Sequence, residues 1–531
     1  MDRNRIMTRV SELPLYWRTL RHLKMIQVAD RIRRRLFPAR PDLSPAPPLR
    51  PGRKKPYHGC RSRAEVSGNR FTFLHCSAEV CRPGDWNRKD CSKLWLYNLH
   101  YFDFLRNEDV DGAHWIDRWI RENPPGSGNG WEPYPLSLRI VNWIKYHRSG
   151  HSLSPKALNS LAVQLRFLAA SLEYHLLANH LLANAKALIF GGSFFDGEEG
   201  AKWLRKGWEM YREQLPEQIL ADGGHFERSL MYHSILLEDL LDVHQETGGE
   251  FLRTHLLKML GFLRSFTGPD GRIALFNDAA FNVAPGPEEL LEYAGRLGLR
   301  PEGPEGGGWF ADSGYLRLER GDWTLFADAA PVGPDYQPGH AHADTLGFEL
   351  FFKTRRIAVD SGVSGYQTPR RNPERGTGAH NTLRLDGRDS SEVWAAHRVG
   401  RRARITETRE LPDGFTAEHD GYRPVMHRRS WRWLEDGSGL RIEDELKGTG
   451  SHTAELFWHF HPDCPVELRE PGRAVVAEDF LLTYPADRLT AGVADDFWSP
   501  EFGLVLPNRT LILRYQGTLP LQLSVIISEK K

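Results

Sequence analysis

The sequence predicts two packed domains, an all-helical half followed by an antiparallel β half. Three observations carry this expectation. Apolar residues recur at helical spacing from about Leu94 to about Leu299, they alternate at period two after Trp309, and the glycine- and proline-rich PEGPEGGGWF separates the two patterns. The expected boundaries are an N-terminal arm and linker over 1–55, a helical domain over 56–303 and a β domain over 304–531. With 531 residues, 40% of them hydrophobic and 26% charged, the chain can build two sizeable cores and is too apolar to be disordered or fibrous.

Residues 15–37, LYWRTLRHLKMIQVADRIRRRLF, carry apolar residues at helical spacing with a strongly basic opposite face. Such a helix lies on a membrane surface, or packs on the body or on another subunit. PARPDLSPAPPLRPGRKKP follows, too rich in proline for a helix or a central strand, and reads as an extended linker. In SPKALNSLAVQLRFLAASLEYHLLANHLLANAKALIF, Ser154 is placed as an N-cap and Pro155 as the first helical residue. EGAKWLRKGWEMYREQL, SILLEDLLDVHQET, EFLRTHLLKMLGFLRSF and PEELLEYAGRLGL read as further helices between Gly and Pro clusters. Successive helices on short connections predict a bundle, toroid or solenoid, and a diverged α/α toroid fits the lack of an exact repeat. YLRLERGDWTLFADA, LGFELFFKTRRIAVDSG, RRSWRWLEDGSGLRIEDEL and TLILRYQG alternate and are rich in aromatics, which predicts a sheet or sandwich. The junction of the two halves is the natural place for a long cleft.

Charge and cysteine usage exclude several classes. Lys and Arg number 70 against 69 Asp and Glu, a net charge of +1, so the basic footprint of a nucleic-acid binder is missing. The five Cys form no CxxC pair, which argues for free or buried thiols over a zinc ribbon or a disulfide framework. The charged start has no apolar stretch behind it, and no run of about 18 apolar residues occurs. The default expectation is therefore the cytoplasm, with a periplasmic or secreted location kept open for an altered start.

The densest polar cluster is GHAHADTLGFELFFKTRRIAVDSG followed by GTGAHNTLRLDG, which holds His340, His342, Asp344, Asp360 and His380. His340 and His342 would share one side of an extended segment, Asp360 ends the next strand, and His380 precedes another. Two imidazoles and a carboxylate suit a zinc-type divalent ion; a set of hydrogen-bonded sheet residues is the other reading. In the helical half, Asn179 and His180 interrupt an apolar helix, where an unpaired polar group costs roughly 1–3 kcal/mol, so local backbone or a ligand must satisfy them. Tyr232 and His233 lie in GGHFERSLMYHS, and Trp131 in GNGWEPYPLSLRIVNW reads as a sugar-stacking platform or as core.

The segments LWLYNLHYFDFL, WEPYPLSLRIVNWIKY, NHLLANAKAL, GGHFERSLMYHS and GHAHADTLGFEL…VDSG…AHNTL together resemble the heparinase II/III family of polysaccharide lyases, including its broad-specificity glycosaminoglycan-lyase relatives. The resemblance runs from about Leu94 to about Gly387. It implies an incomplete α/α toroid followed by an antiparallel β-sandwich, and β-elimination at a uronic acid with cleavage of the C4–O4 bond. It implies a metal held by His342, Asp360 and His380, zinc first and manganese second, and no organic cofactor. It places His340 and Tyr232 at catalytic positions, and Asn179 with His180 where the substrate carboxylate is engaged, with His175 a nearby competitor. Which of Asn179 and His180 neutralises the carboxylate stays open.

That chemistry accounts for the residue types. The C5 proton of a uronate is a poor acid beside a carboxylate, so donors from Asn179 or a protonated His180 would stabilise the enolate-like charge. A base then removes the proton and an acid protonates the departing O4. Tyr232 could do both if positive neighbours lower its phenol pKa, and His340 could serve a C5 proton on the opposite face, so that both epimers would be accepted. A polyanionic substrate calls for cations, for which Arg139, Arg370, Arg371, Arg375 and Arg398 are candidates. The expected partner is an anionic polysaccharide; oligomeric state is open. A metal-dependent glycan hydrolase and a non-catalytic polysaccharide-binding protein are the competing classes.

Overall fold

The computed structural model describes residues 13–51, 57, 59–303 and 306–530. The charged start of the chain and the GRKKP end of the linker lie outside them. The two-part architecture follows the change of period. Helices run to Pro287–Arg296, and the strands of the second half begin at Gly308–Phe310. Ser154 caps the helix Pro155–Ala170 by accepting from the backbone of Ala157, with Pro155 at its start. Helices Ala178–Phe194 and Gly197–Gln218 pack closely, and glycines make that possible: a Cβ on Gly192 would meet the backbone of Gly200 and Leu204. A small antiparallel sheet, Glu65–Ser67, Arg70–Phe73 and Cys76–Glu79, precedes the main helices.

The β half contains a five-stranded meander from Gly308–Phe310 to Arg355–Ala358, an eight-stranded sheet and a four-stranded sheet. The last strand, Leu521–Glu529, pairs between Gly439–Lys447 and Phe480–Thr483 and so closes the eight-stranded sheet from its middle. Val425–Trp433 shows strict alternation of buried and partly exposed residues, and Trp431, Ile442 and Val525 stand in register inside. One apolar core fills the helical half and continues into the β half at Tyr315, Phe326, Phe351, Trp498 and Phe502. A second core lies among the sheets. The shared core fixes the two halves against each other, so their junction is a defined cavity.

The arm packs on the body. Helices Leu13–Leu20 and Met25–Leu36 are tied down by Arg18 to Glu392 (2.7 Å), by Lys24 to Glu217 (2.5 Å) and by Tyr16 edge-on to Trp394. None of the described helices is long and apolar enough to cross a membrane.

Three expectations are corrected here. The long helical run breaks: Ser171–Leu177 separates Pro155–Ala170 from Ala178–Phe194, because Leu177 and Ala178 take positive φ (63° and 49°). Trp131 is core, buried among Trp119 and Phe167 and away from the cavity. Arg139 is also structural. Its fully buried guanidinium stacks on Trp119, with its carbon 3.8 Å from the ring centre. It donates to Gln164 Oε1, the His100 carbonyl and the Gly130 carbonyl at 3.0, 3.2 and 2.7 Å. Arg139→Ala is therefore expected to orphan these acceptors and to cost on the order of 3 kcal/mol in urea unfolding. An unchanged denaturation midpoint would contradict that structural role.

Candidate functional site

The junction holds a cavity of about 1120 Å³, lined from the helical half by Asn179, His180 and Tyr232 and from the β half by His340, Tyr366 and Arg398. Backbone strain positions the first pair. The left-handed Leu177 and Ala178 turn the chain so that Asn179 and His180 fall in the first turn of a 17-residue helix that has no side-chain cap. The positive end of that helix favours an anion. One arm of the Asn179 amide, Oδ1, is buried without a partner. His180 donates through Nδ1 to Glu173 at 3.2 Å. Burial would lower the His180 pKa, but the Glu173 carboxylate raises it above the ordinary histidine value. Glu173 is correspondingly low: burial opposes ionisation and His180 outweighs it.

Tyr232 sits in the first turn of Leu230–Thr247, where Ser229 accepts from its backbone N–H. Its ring stacks on His340 with centroids 3.8 Å apart and planes 14° apart, and its hydroxyl lies 2.6 Å from that of Tyr366. Burial, then the neighbouring Tyr366 and Asp278, push its phenol well above the ordinary tyrosine value. This corrects the expectation of a lowered pKa. The stacking also corrects the picture of two bases on opposite faces of a sugar, since nothing fits between touching rings.

His340 is held by a residue the sequence reading missed. Its Nδ1 donates to the buried Glu227, which also accepts from the Asn179 backbone N–H at 3.3 Å. Burial would raise the Glu227 pKa, but His340 pulls it below the ordinary carboxylate value. The ring's Nε2 is left as its basic nitrogen. Tyr366 was missed as well. Glu227 carries a signal in hindsight, a charge five residues before Tyr232 in FERSLMY, whereas Tyr366 in a loop carries none.

The chain around His340 and His342 is a loop, so period two does not govern it and the two side chains serve different sites. His342 is buried; its Nε2 donates to Asp278 at 2.8 Å, and Asp278 is also gripped by both arms of Arg371. His380 donates through Nδ1 to Asp360 at 2.8 Å. The remaining nitrogens, His342 Nδ1 and His380 Nε2, are buried and have no partner. His342, Asp344 and His380 bring one ligand atom each to within 4.8 Å of one another. The donor set fits a divalent ion, with each imidazole oriented from behind by a carboxylate. Asp344 thus stands where Asp360 was expected, and Asp360 backs His380. Burial raises Asp344 to about 6, and a bound cation would favour its ionised, ligating form.

Of the expected cations, Arg398 reaches the cavity, stacked on Trp394. Arg375 is buried, donating through Nε and Nη2 to the Ala341 carbonyl at 3.1 and 2.8 Å, so it supports the HAH loop from behind. Arg371 is spent on Asp278, and Arg370 stacks on Phe497. His175 lies off the cavity lining, its Nδ1 3.3 Å from Asp30 of the arm. Arg106 and Lys186 line the cavity but are paired with Glu238 and Asp239 at 2.9 and 2.6 Å.

The raised pKa predicts that His180 stays protonated to higher pH than a free histidine. Its stabilising pair with Glu173 is complete below the ordinary histidine value and lost as pH rises through the raised folded value. In an imidazole NMR titration, Glu173→Gln should move the His180 midpoint to lower pH; an unmoved midpoint would rule out the pairing.

Two family models match this chain. The one described as Heparinase II/III N-terminus covers residues 105–283, and the one described as Heparinase II/III-like, C-terminal, covers 302–527. A heparin-sulfate lyase of Bacteroides stercoris is 26% identical over 385 residues, 64% of this chain and 55% of that protein. The chain therefore spans little more than half the length of that relative. FtsZ-localized protein C of Caulobacter vibrioides is 24% identical over 72% of each chain. The crystal structure of heparinase III superposes with a TM-score of 0.65 at 18% identity, covering 84% of this chain and 79% of that one.

Proposed function

The chain belongs to the heparinase II/III family, and from that membership we propose that it is a lyase cleaving a uronate-containing, glycosaminoglycan-like polysaccharide by β-elimination. The observation that carries the reading is the stacked Tyr232–His340 pair beside the helix start at Asn179 and His180. The uronate carboxylate lies against Asn179, the protonated His180 and the positive helix end, which stabilise charge developing at C5. His340 Nε2, oriented by Glu227, takes the C5 proton. The C5–H electrons form the C4=C5 double bond, the C4–O4 bond breaks, and O4 takes the proton of Tyr232. The raised phenol pKa suits Tyr232 to the acid's part. Tyr366 is hydrogen-bonded to that hydroxyl and holds it in place.

Base and acid lie on one side of the sugar. That suits a uronate whose C5 proton and O4 share a face, as in glucuronate, over its C5 epimer iduronate. We assign the His342, Asp344 and His380 group to one zinc ion, with manganese second, on its nitrogen-rich donor set. When bound, the ion would supply fixed positive charge; these residues join the HAH loop to His380 and so shape the cavity wall.

Tyr232→Phe should lower formation of the ultraviolet-absorbing unsaturated product by about 10²–10⁴-fold with the fold intact by circular dichroism. Retained turnover, or products without that absorbance, would exclude this assignment, the latter pointing to hydrolysis. Binding of a panel of uronate polymers with no turnover on any would support the non-catalytic class.

Elemental analysis should find about one divalent ion per chain, and chelation should lower the melting temperature together with activity. His380→Ala should abolish binding of the ion. Full thermal stability in the stripped protein would refute a structural role.

A further inference from the structure

The helix Met25–Leu36 is mounted inside out. Its buried residues are polar: Gln27 donates to the Tyr336 carbonyl at 3.3 Å, and Asp30 takes the His175 backbone N–H at 3.0 Å. Arg34 beside them reaches the carbonyl of Ser171. The apolar stripe, which in an ordinary surface helix turns to the core, faces outward instead: Met25 is 79% exposed, Ile32 56% and Leu36 64%. The preceding helix adds Trp17 at 68%, and the chain beyond adds Phe37 at 72%. Among the described residues, twelve of the fifteen large hydrophobic side chains classed as exposed fall between Leu13 and Leu49. An apolar patch of this density marks an interaction surface.

Its charge selects the partner. Between Leu13 and Arg40 stand eight Lys or Arg against one acidic residue, Asp30, which is buried. A second copy of the chain would bring two such basic faces together and meet repulsion. A soluble polyanion would match the arginines and leave the apolar stripe in water. An anionic lipid surface satisfies both, with the apolar side chains entering the acyl boundary and the exposed Arg31, Arg33 and Arg35 at the headgroups. An exposed tryptophan such as Trp17 is a customary interfacial anchor.

We propose that the arm, residues 13–43, docks the protein peripherally on an anionic membrane surface. Tyr16, Leu20, Leu23 and Arg31 of the same arm also line the cavity. The arm that would dock is therefore also a wall of the cavity. The proposal is independent of the reaction assigned to the site.

The test is co-sedimentation of the full chain with phosphatidylcholine vesicles, with and without phosphatidylglycerol. The wild-type protein should bind the phosphatidylglycerol vesicles, less so at high salt. Ile32→Ser, Leu36→Ser and Phe37→Ser combined should reduce the bound fraction at least ~10-fold at an unchanged melting temperature, because the side chains touch solvent. Arg35→Glu, at an exposed position, is a second variant expected to weaken binding. The proposal is overturned if wild-type protein stays in the supernatant, or if the triple variant binds as well as wild type, which would mean charge alone. It is equally overturned if wild type is an oligomer that the triple variant converts to monomer without any vesicle binding, which would make the stripe a protein interface.

Discussion

Two buried carboxylates hold the site together. Glu227, from the segment leading into the Leu230–Thr247 helix, accepts from the Asn179 backbone on one side and from His340 on the other. Asp278 takes His342 and Arg371 through its side chain, while its backbone N–H donates to the His340 carbonyl at 3.0 Å. Both residues come from the helical half, and their partners His340, His342 and Arg371 from the β half. Buried carboxylates are costly unless every oxygen is answered. That cost is what makes the junction specific: a shift of one half against the other would leave an uncompensated charge in a dry interior. The apolar core shared across the junction supplies adhesion, and these two acids supply register.

The same logic runs outward from the metal-type group. Its imidazoles each spend one nitrogen on a carboxylate and leave the other without a partner. A buried nitrogen lone pair with no donor nearby is unusual in a satisfied interior. Around it, Asp328, Asp344 and Glu349 are all pushed toward the neutral form by burial. Unanswered lone pairs facing under-ionised carboxyls form a site whose electrostatics close once a cation is present. Asp344 supplies the carboxylate of this group, while Asp360 bonds to Nδ1 of His380 and orients it.

The legible parts of this chain were those governed by period or by compact motifs. The switch near Trp309 from helical to alternating spacing located the two halves, and the family resemblance carried by GHAHADTLGFEL pointed to His340, which lines the cavity from the β side. What escaped was set by long-range contact. Trp131 and Arg139 resemble cleft residues by type, yet burial among Trp119, Phe167 and Gln164 makes them structural. Asn179 reads as a mid-helix interruption because nothing in an apolar run announces that Leu177 will turn left-handed. Glu227 and Tyr366 gain their meaning from partners 113 and 134 residues away in sequence. The arm read correctly as amphipathic and packs on the body as expected, but not through its apolar stripe as that reading supposed: Gln27 and Asp30 are the residues turned inward.

In the proposed elimination Tyr232 and His340 divide the labour because their surroundings differ. The phenol is buried against Tyr366, with Asp278 nearby, all of which disfavours a phenolate. A uronate carboxylate entering the cavity brings further negative charge and disfavours it more. The imidazole is instead oriented by a hydrogen bond. Glu227 accepts from its Nδ1 and so fixes the tautomer that leaves Nε2 free to take the proton. In the proposed reaction a phenol that keeps its proton and an imidazole nitrogen free to take one thus lie in van der Waals contact, the arrangement an elimination needs when the hydrogen and the leaving oxygen depart from the same face.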